Sequence, residues 1–600
     1  MLKIQHAPFL VAALCVVAAA GPAPAAEAPP AAPSAADPAA APAAPAEAER
    51  ARLQAGLHEH LDRLGRLGLS GVALVGRIGG EVVVEGFGAA DHASGRPFTG
   101  GTVSTVGSIT KQFTAAAILL LAEEGLLATA DPLSRHLPGV PADKQGITLH
   151  HLLTHTAGFG ELGIGDFEEL GRDEMVRRAL AAELPTAPGE TYEYSNVGYG
   201  LLGAVIERLT GEEYERFLRR RLFLPAGMYE TGYVLPGWEP QRLAQGVRDG
   251  EPWGSVAERL PPTGPGWVLK ANGGIHSTVY DMFRWMEALA GDRVLSAASR
   301  QALFTPYADE GGGESFYGYG WAVGEVEGRR TVQHNGGNGV FFADLHYYPD
   351  DRLVTVYFTN VAERGAEAVS QVVDRLAFGE PVPLPPDVVA AEPAALASWE
   401  GTYRLAQGGA IAVRAEDGAL ALAPQGRQAF TAVHGGDAAR AEALGAVATV
   451  ERFIEGWHRG DFTPLWEAYR RETPKERLAQ IYGERRAGFE EALGPWQGFE
   501  VLGVEPWPEG VAVTVRADFA RGARYWRYLW EGGELTGAQL LSELPPPRFH
   551  PTRQGAFASY DLRSGRTLVA RFEPSEGGAR LVLETPAGQV TALRGAGPGS

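Results

Sequence analysis

The sequence predicts an α/β (α+β) unit, an antiparallel sheet flanked by helices, followed by a small β-barrel interrupted by an α+β insert. Three observations carry this reading. Strand-like apolar runs lie near both ends of residues 49–378, at 71–87 and 318–360, with helical patterns between them. One sheet assembled from the two ends around an inserted helical region accounts for that order. The Pro-rich stretch 379–394 then breaks the chain, and short strands at 401–422 stop and resume only near Arg548, with a helical stretch and four more strands in the gap.

The elements follow in order. Residues 49–66 carry leucines 53, 57, 61 and 64 on one stripe, which predicts an amphipathic helix. Two strands, 71–75 and 81–87, form a hairpin turning at Gly79-Gly80. The stretch from Gly107 to Glu124 is apolar nearly all round, so it predicts a helix in the middle of a large core, ended by Gly125 in a left-handed cap. A helix-and-loop region runs to about residue 240, and a further helix spans 279–289. Strands at 318–326, 339–348 and 353–360 and a helix at 367–377 close the unit. Domain boundaries follow at 49–378 for the first unit, 396–435 plus 545–597 for the barrel, and 438–542 for the insert.

Six hundred residues imply two to four domains. A net charge of −20 argues against nucleic acid or an anionic membrane surface as partner. The N-terminus holds Lys3, an apolar run from Phe9 to Ala20 and a small-residue exit at Ala23-Pro24-Ala25, the pattern of a secretory signal peptide over 1–25. Residues 26–48, rich in Ala and Pro, then predict a disordered tether. Cys15, the one cysteine, falls inside the apolar run, so the processed chain has no disulfide and no thiolate metal site. No later run is long and apolar enough for a transmembrane segment. A periplasmic or secreted location is expected.

Chemistry centres on Ser108 and Lys111. A helix places residues three apart on one face, so both point the same way. The chain has only five lysines among 53 basic residues. Arginine cannot release its proton in a protein, whereas a buried lysine can, so a lysine kept here supplies a titratable amine. The bland alternative for this motif alone is a capping serine with a snorkelling lysine.

Two further motifs follow: Tyr194-Ser195-Asn196, after the turn Pro188-Gly189-Glu190, and His334-Asn335-Gly336-Gly337, before a strand. In this order and spacing the set resembles the serine β-lactamase and penicillin-binding-protein superfamily, most closely its class C branch with its esterases and D-amino-acid peptidases. The resemblance covers roughly residues 68–378 and includes Leu152-Leu153-Thr154-His155-Thr156-Ala157-Gly158, Gly273-Gly274-Ile275 and Tyr317-Gly318-Tyr319-Gly320-Trp321. It implies a β-lactamase-like sandwich. It also implies that Ser108 is the nucleophile, with Lys111 and Tyr194 as the proton-transfer groups, either of them the base. The oxyanion donors would be the Ser108 and Gly337 N–H groups, with Asn196, His334 and Gly336 orienting substrate. Penicillin-recognising members usually place a lysine where His334 stands. A histidine is only partly charged at pH 7, so anchoring of a substrate carboxylate is reduced. The C-terminal third resembles lipocalin-like β-domains, and its insert resembles the α+β cone of SnoaL-like proteins.

The expected activity is a serine hydrolase that forms an acyl-enzyme on Ser108 and cleaves an ester or amide. Candidate substrates are a D-amino-acid peptide, a peptidoglycan fragment or a β-lactam, with no cofactor. The alternative is a non-hydrolytic penicillin-binding sensor on the same fold. No metal is expected. His58 and His60 stand two apart on a helix and point away from each other, and His151 and His155, at i and i+4, lack the glutamate of H-E-x-x-H.

Overall fold

The computed structural model describes residues 43–594 apart from 249, 312, 363–364, 470–474, 508–509, 532, 542, 577 and 587. The expected signal peptide over 1–25, and the tether up to residue 42, lie outside the described residues. The chain divides into two compact units, Met1–Val382 and Pro383–Ser600.

The first unit is built on an eight-stranded antiparallel sheet. Its strands are β1 (Gly71–Arg77), β2 (Val82–Phe87), β3 (Ala308–Asp309), β4 (Ser315–Tyr317), β5 (Ala322–Val326), β6 (Arg329–Gly337), β7 (Phe342–Tyr348) and β8 (Leu353–Thr359), in the order β2-β1-β8-β7-β6-β5-β4-β3. The junction of the two ends is the pairing of β1 with β8, Gly71 opposite Thr359 through Arg77 opposite Leu353. Both strands are buried almost throughout, because helices cover both faces of the sheet.

Alternation along the strands decides which helices lie on which face. Val72, Leu74, Val354, Val356 and Phe358 join one large core with α2 (Thr110–Glu123) and α5 (Val279–Ala290). Thr355, on the other face, donates to Asp374 of α6 (Ala366–Ala377) at 2.5 Å. On that face His346 is held between two carboxylates, with Nδ1 2.6 Å from Asp374 and Nε2 3.1 Å from Asp344. Helix α1 spans Ala43–Arg66 and so starts inside the stretch expected to be a tether, where alanine supplies high helix propensity. Its His58 is exposed and bonded to Glu85, while His60 is buried, so the two histidines occupy opposite faces.

The inserted helices include α3 (Leu149–Leu153) and α4 (Asn196–Thr210). Thr148 caps α3 by a capping box with His151, and Gly211, at φ 67, ends α4.

The second unit holds a closed antiparallel barrel of β9 (Gly401–Leu405), β10 (Ala410–Glu416), β11 (Ala419–Gln425), β16 (Arg548–Pro551), β17 (Phe557–Asp561), β18 (Arg566–Ser575), β19 (Gly578–Thr585) and β20 (Gly588–Arg594). Between β11 and β16 the chain leaves the barrel to form a four-stranded sheet, β12 (Trp496–Trp507), β13 (Gly510–Phe519), β14 (Gly522–Glu531) and β15 (Glu534–Leu541), together with helices that include α7 (Ala446–Arg459) and α8 (Lys475–Leu493). Trp526, Tyr528 and Trp530 alternate into the insert's own core with Phe453 and Trp457 of α7. Arg527 points the other way, into a bidentate pair with Glu505 at 3.0 and 2.6 Å.

Candidate active site

Gly107, at φ 50, opens a single 3₁₀ turn, Gly107–Ile109, that runs into α2. Ser108 in that turn and Lys111 in the first turn of α2 stand three residues apart, which sets their side chains on one face. Lys111 Nζ lies 3.1 Å from Ser108 Oγ. Lys111 is fully buried, and burial pulls its pKa down to about 7, with Glu161 and Asp166 pulling the other way.

Two more oxygens surround the same nitrogen: Asn196 Oδ1 at 2.8 Å and the Asn272 carbonyl at 2.9 Å. Both can only accept. A neutral amine has two N–H donors and one lone pair, so these two oxygens take the donors and the lone pair is left for the Ser108 hydroxyl. The arrangement can therefore withdraw the serine proton.

Tyr194 stands over the lysine, its ring centre 4.7 Å from Nζ. Burial pushes this phenol well above its ordinary range, and the influence of the Ser108 hydroxyl opposes the shift only in part. At neutral pH it is an O–H, able to pass a proton rather than to remove one. The Asn196 N–H opens α4 and donates to Glu161 at 3.2 Å. Asn196 also borders a cavity lined by Met175, Val197, Trp267 and Val268.

The end of β6 is pressed against the turn that carries Ser108. A Cβ on Gly336 would stand 2.2 Å from the Val106 carbonyl and 2.5 Å from the Ser108 nitrogen. A Cβ on Gly107 would stand 2.7 Å from the Gly337 nitrogen. Only glycine lets the two backbones approach this closely. The approach sets the end of β6 against the backbone of residues 106–108.

His334 is buried, and both its nitrogens are engaged. Nδ1 lies 2.6 Å from the Asn335 carbonyl and so carries the proton, leaving Nε2 to accept from the Tyr317 hydroxyl at 2.9 Å. Burial, with Lys111 nearby, takes its pKa down to about 3. The imidazole expected to be partly charged is therefore neutral at pH 7 and presents no cation to a substrate carboxylate.

All the residues proposed from sequence, Ser108, Lys111, Tyr194, Asn196, His334, Gly336 and Gly337, gather here. Three that sequence reasoning did not single out join them: Asn272, through a backbone carbonyl that no side-chain motif encodes; Tyr317, the partner of His334; and Glu161. His151 and His155 do not share a helix face, since α3 ends at Leu153 and His155 lies beyond it at φ 58. Among the described residues no group of three or more His, Cys, Asp or Glu could hold a metal. Among them, too, no helix is long and apolar enough to cross a membrane.

A helix-covered antiparallel sheet with serine and lysine one turn apart at its central helix defines the class of β-lactamase-related serine hydrolases. The Beta-lactamase family model matches residues 48–377, and the chain belongs to that family. Penicillin-binding protein 4* of Bacillus subtilis (strain 168) is 30% identical over 377 residues, covering 57% of this chain and 81% of the relative. Esterase EstB of Burkholderia gladioli is 32% identical over 318 residues, covering 46% of this chain and 78% of the relative. The octameric penicillin-binding protein homologue from Pyrococcus abyssi is alike in fold, with a TM-score of 0.50 at 19% identity, over 90% of this chain and 99% of that one.

Proposed function

We propose that this chain hydrolyses an ester or amide through an acyl-enzyme on Ser108. The observation that carries the reading is the Lys111 nitrogen, buried, bonded to two pure acceptors and 3.1 Å from Ser108 Oγ. The neutral amine takes the hydroxyl proton as Oγ attacks the substrate carbonyl carbon. The resulting oxyanion receives the Ser108 and Gly337 N–H groups. As the tetrahedral species collapses, the proton on Lys111 passes through the Tyr194 phenol to the departing oxygen or nitrogen, and the C–O or C–N bond breaks. Water then attacks the acyl carbon, and Ser108 leaves with its proton restored.

The neutral His334 narrows the substrate. With no cation on the β6 side, the site favours an ester or amide that carries no carboxylate beside the scissile bond, as an esterase does, over a carboxylate-bearing β-lactam. Asn196 would hold the acyl-side amide. The N-terminal pattern of Lys3, the apolar run and Ala23-Pro24-Ala25 supports export to the periplasm or medium. The barrel and the insert are read as lipocalin-like and SnoaL-like domains.

Intact mass after exposure to a fluorophosphonate and, separately, to a β-lactam tests this, with Ser108→Ala as control. A fluorophosphonate adduct absent from the variant supports the activated serine. Its absence from the wild type overturns the reading. A β-lactam adduct that forms and persists favours the non-hydrolytic sensor instead.

A further inference from the structure

We propose that His155 is a positioning residue that holds the Tyr194 phenol on Ser108; the inference rests on the acyl-enzyme reading above. His155 brackets Tyr194 in sequence and in space. Its carbonyl oxygen accepts the Glu193 N–H at 2.8 Å, and its Nδ1 accepts the Ser195 N–H at 3.0 Å. The residues on either side of Tyr194 are thus both bonded to one histidine. Its ring also lies against the Tyr194 ring, with centroids 4.2 Å apart and planes inclined by 34°.

The backbone explains how one residue does all three. At φ 58, His155 is in the left-handed region that non-glycine residues seldom occupy, two residues past the end of α3. That turn lets its carbonyl and its ring both reach 193–195.

A purely packing role does not account for an imidazole here. With Nδ1 accepting, the proton of the neutral ring sits on Nε2, which is buried and has no hydrogen-bond partner among the described residues. Tyr192, Tyr199 and Tyr317 surround it, with centroids 5.9, 5.1 and 4.6 Å away. A ring without nitrogens would fill the same space and leave no orphaned N–H, at the loss of the Ser195 bond. The acceptor is what the imidazole adds. Tyr194 is the group proposed to protonate the leaving atom, so the fault expected from losing that acceptor is specific to leaving groups that need a proton.

The test compares kcat/KM for a p-nitrophenyl ester, whose phenolate leaves without a proton, and for a simple alkyl ester, whose alkoxide does not. His155→Phe keeps the ring and removes the acceptor. The ratio of alkyl to p-nitrophenyl kcat/KM is expected to fall about tenfold or more, and His155→Phe is expected to have no further effect on that ratio in a Tyr194→Phe background. Equal losses on both esters, or the same loss with and without Tyr194, overturn the proposal. Should His155→Phe fail to fold, His155→Asn, which tolerates the left-handed backbone and removes the ring, is read in the same two assays against the same outcomes. A wild type that forms no adduct at Ser108 overturns the acyl-enzyme reading and this proposal with it. An adduct-forming wild type with equal losses overturns this proposal alone.

Discussion

Lys111 Nζ is 3.1 Å from Ser108 Oγ, and its other two close oxygens, on Asn196 and Asn272, cannot donate to it. Burial makes the amine titratable near neutrality, and the two acceptors aim its lone pair at the serine. Depressed pKa and fixed direction together are what the proposed role as base asks of a residue that is ordinarily a cation.

The pH dependence follows. In the proposed mechanism the active form is the neutral amine, so activity should be lost as pH falls through the Lys111 value of about 7. With a substrate that does not titrate, kcat/KM should level off above that point and drop about tenfold per pH unit below it. An acid limb near 10, where an ordinary lysine titrates, would show that the amine is not desolvated as described.

Asn196→Asp should move that limb upward. The substitution places a carboxylate where Oδ1 now stands, 2.8 Å from Nζ, and an opposite charge stabilises the ammonium. A rise of about one pH unit or more is expected, with the high-pH plateau partly kept. An unmoved limb in a folded variant counts against Lys111 as the titrating group.

Gly336→Ala should uncouple folding from activity. Its Cβ would meet the Val106 carbonyl at 2.2 Å and the Ser108 nitrogen at 2.5 Å, so β6 must shift away from the nucleophile turn. Loss of one oxyanion donor's geometry costs about 10²–10³ in kcat. Steady-state kinetics beside a thermal melt checks it; a variant as active as the wild type would mean that β6 does not serve the reaction.

His346 predicts a stability that falls with alkali. Burial alone would lower its pKa, but Asp344 and Asp374 outweigh burial and raise it well above the ordinary value. A raised folded value means that the cluster stabilises fully below the unfolded pKa of about 6.5 and stops doing so as pH climbs through the folded one. His346→Gln, which leaves two buried carboxylates without their cation, should cost about 3–5 kcal/mol at pH 6 and less at high pH. Thermal unfolding of the wild type and the variant at both pH values measures the difference; a constant gap would rule out a protonated His346.

Much of this was legible from the chain. The nucleophile helix, the sheet built from both ends and the interrupted barrel each leave a local trace in periodicity and turn residues. The spacing of His58 and His60 excluded a shared metal because a helix turns about 100° per residue, and the two do face opposite ways. The i, i+4 spacing of His151 and His155 does not set them on one face either: the helix stops at Leu153, and helical spacing has no meaning beyond it.

What the sequence determined by itself is the family and the set of candidate side chains, since serine, lysine, tyrosine and asparagine can be recognised by type and spacing. Their electrical state was decided only by the tertiary structure. Burial lowers Lys111, raises Tyr194 and neutralises His334, and each depends on walls drawn from distant segments. The Asn272 carbonyl that directs the lysine lies 161 residues away and belongs to the backbone, which every residue type offers alike. Side-chain identity is written locally; desolvation and backbone hydrogen bonding exist only once the chain has closed around the site.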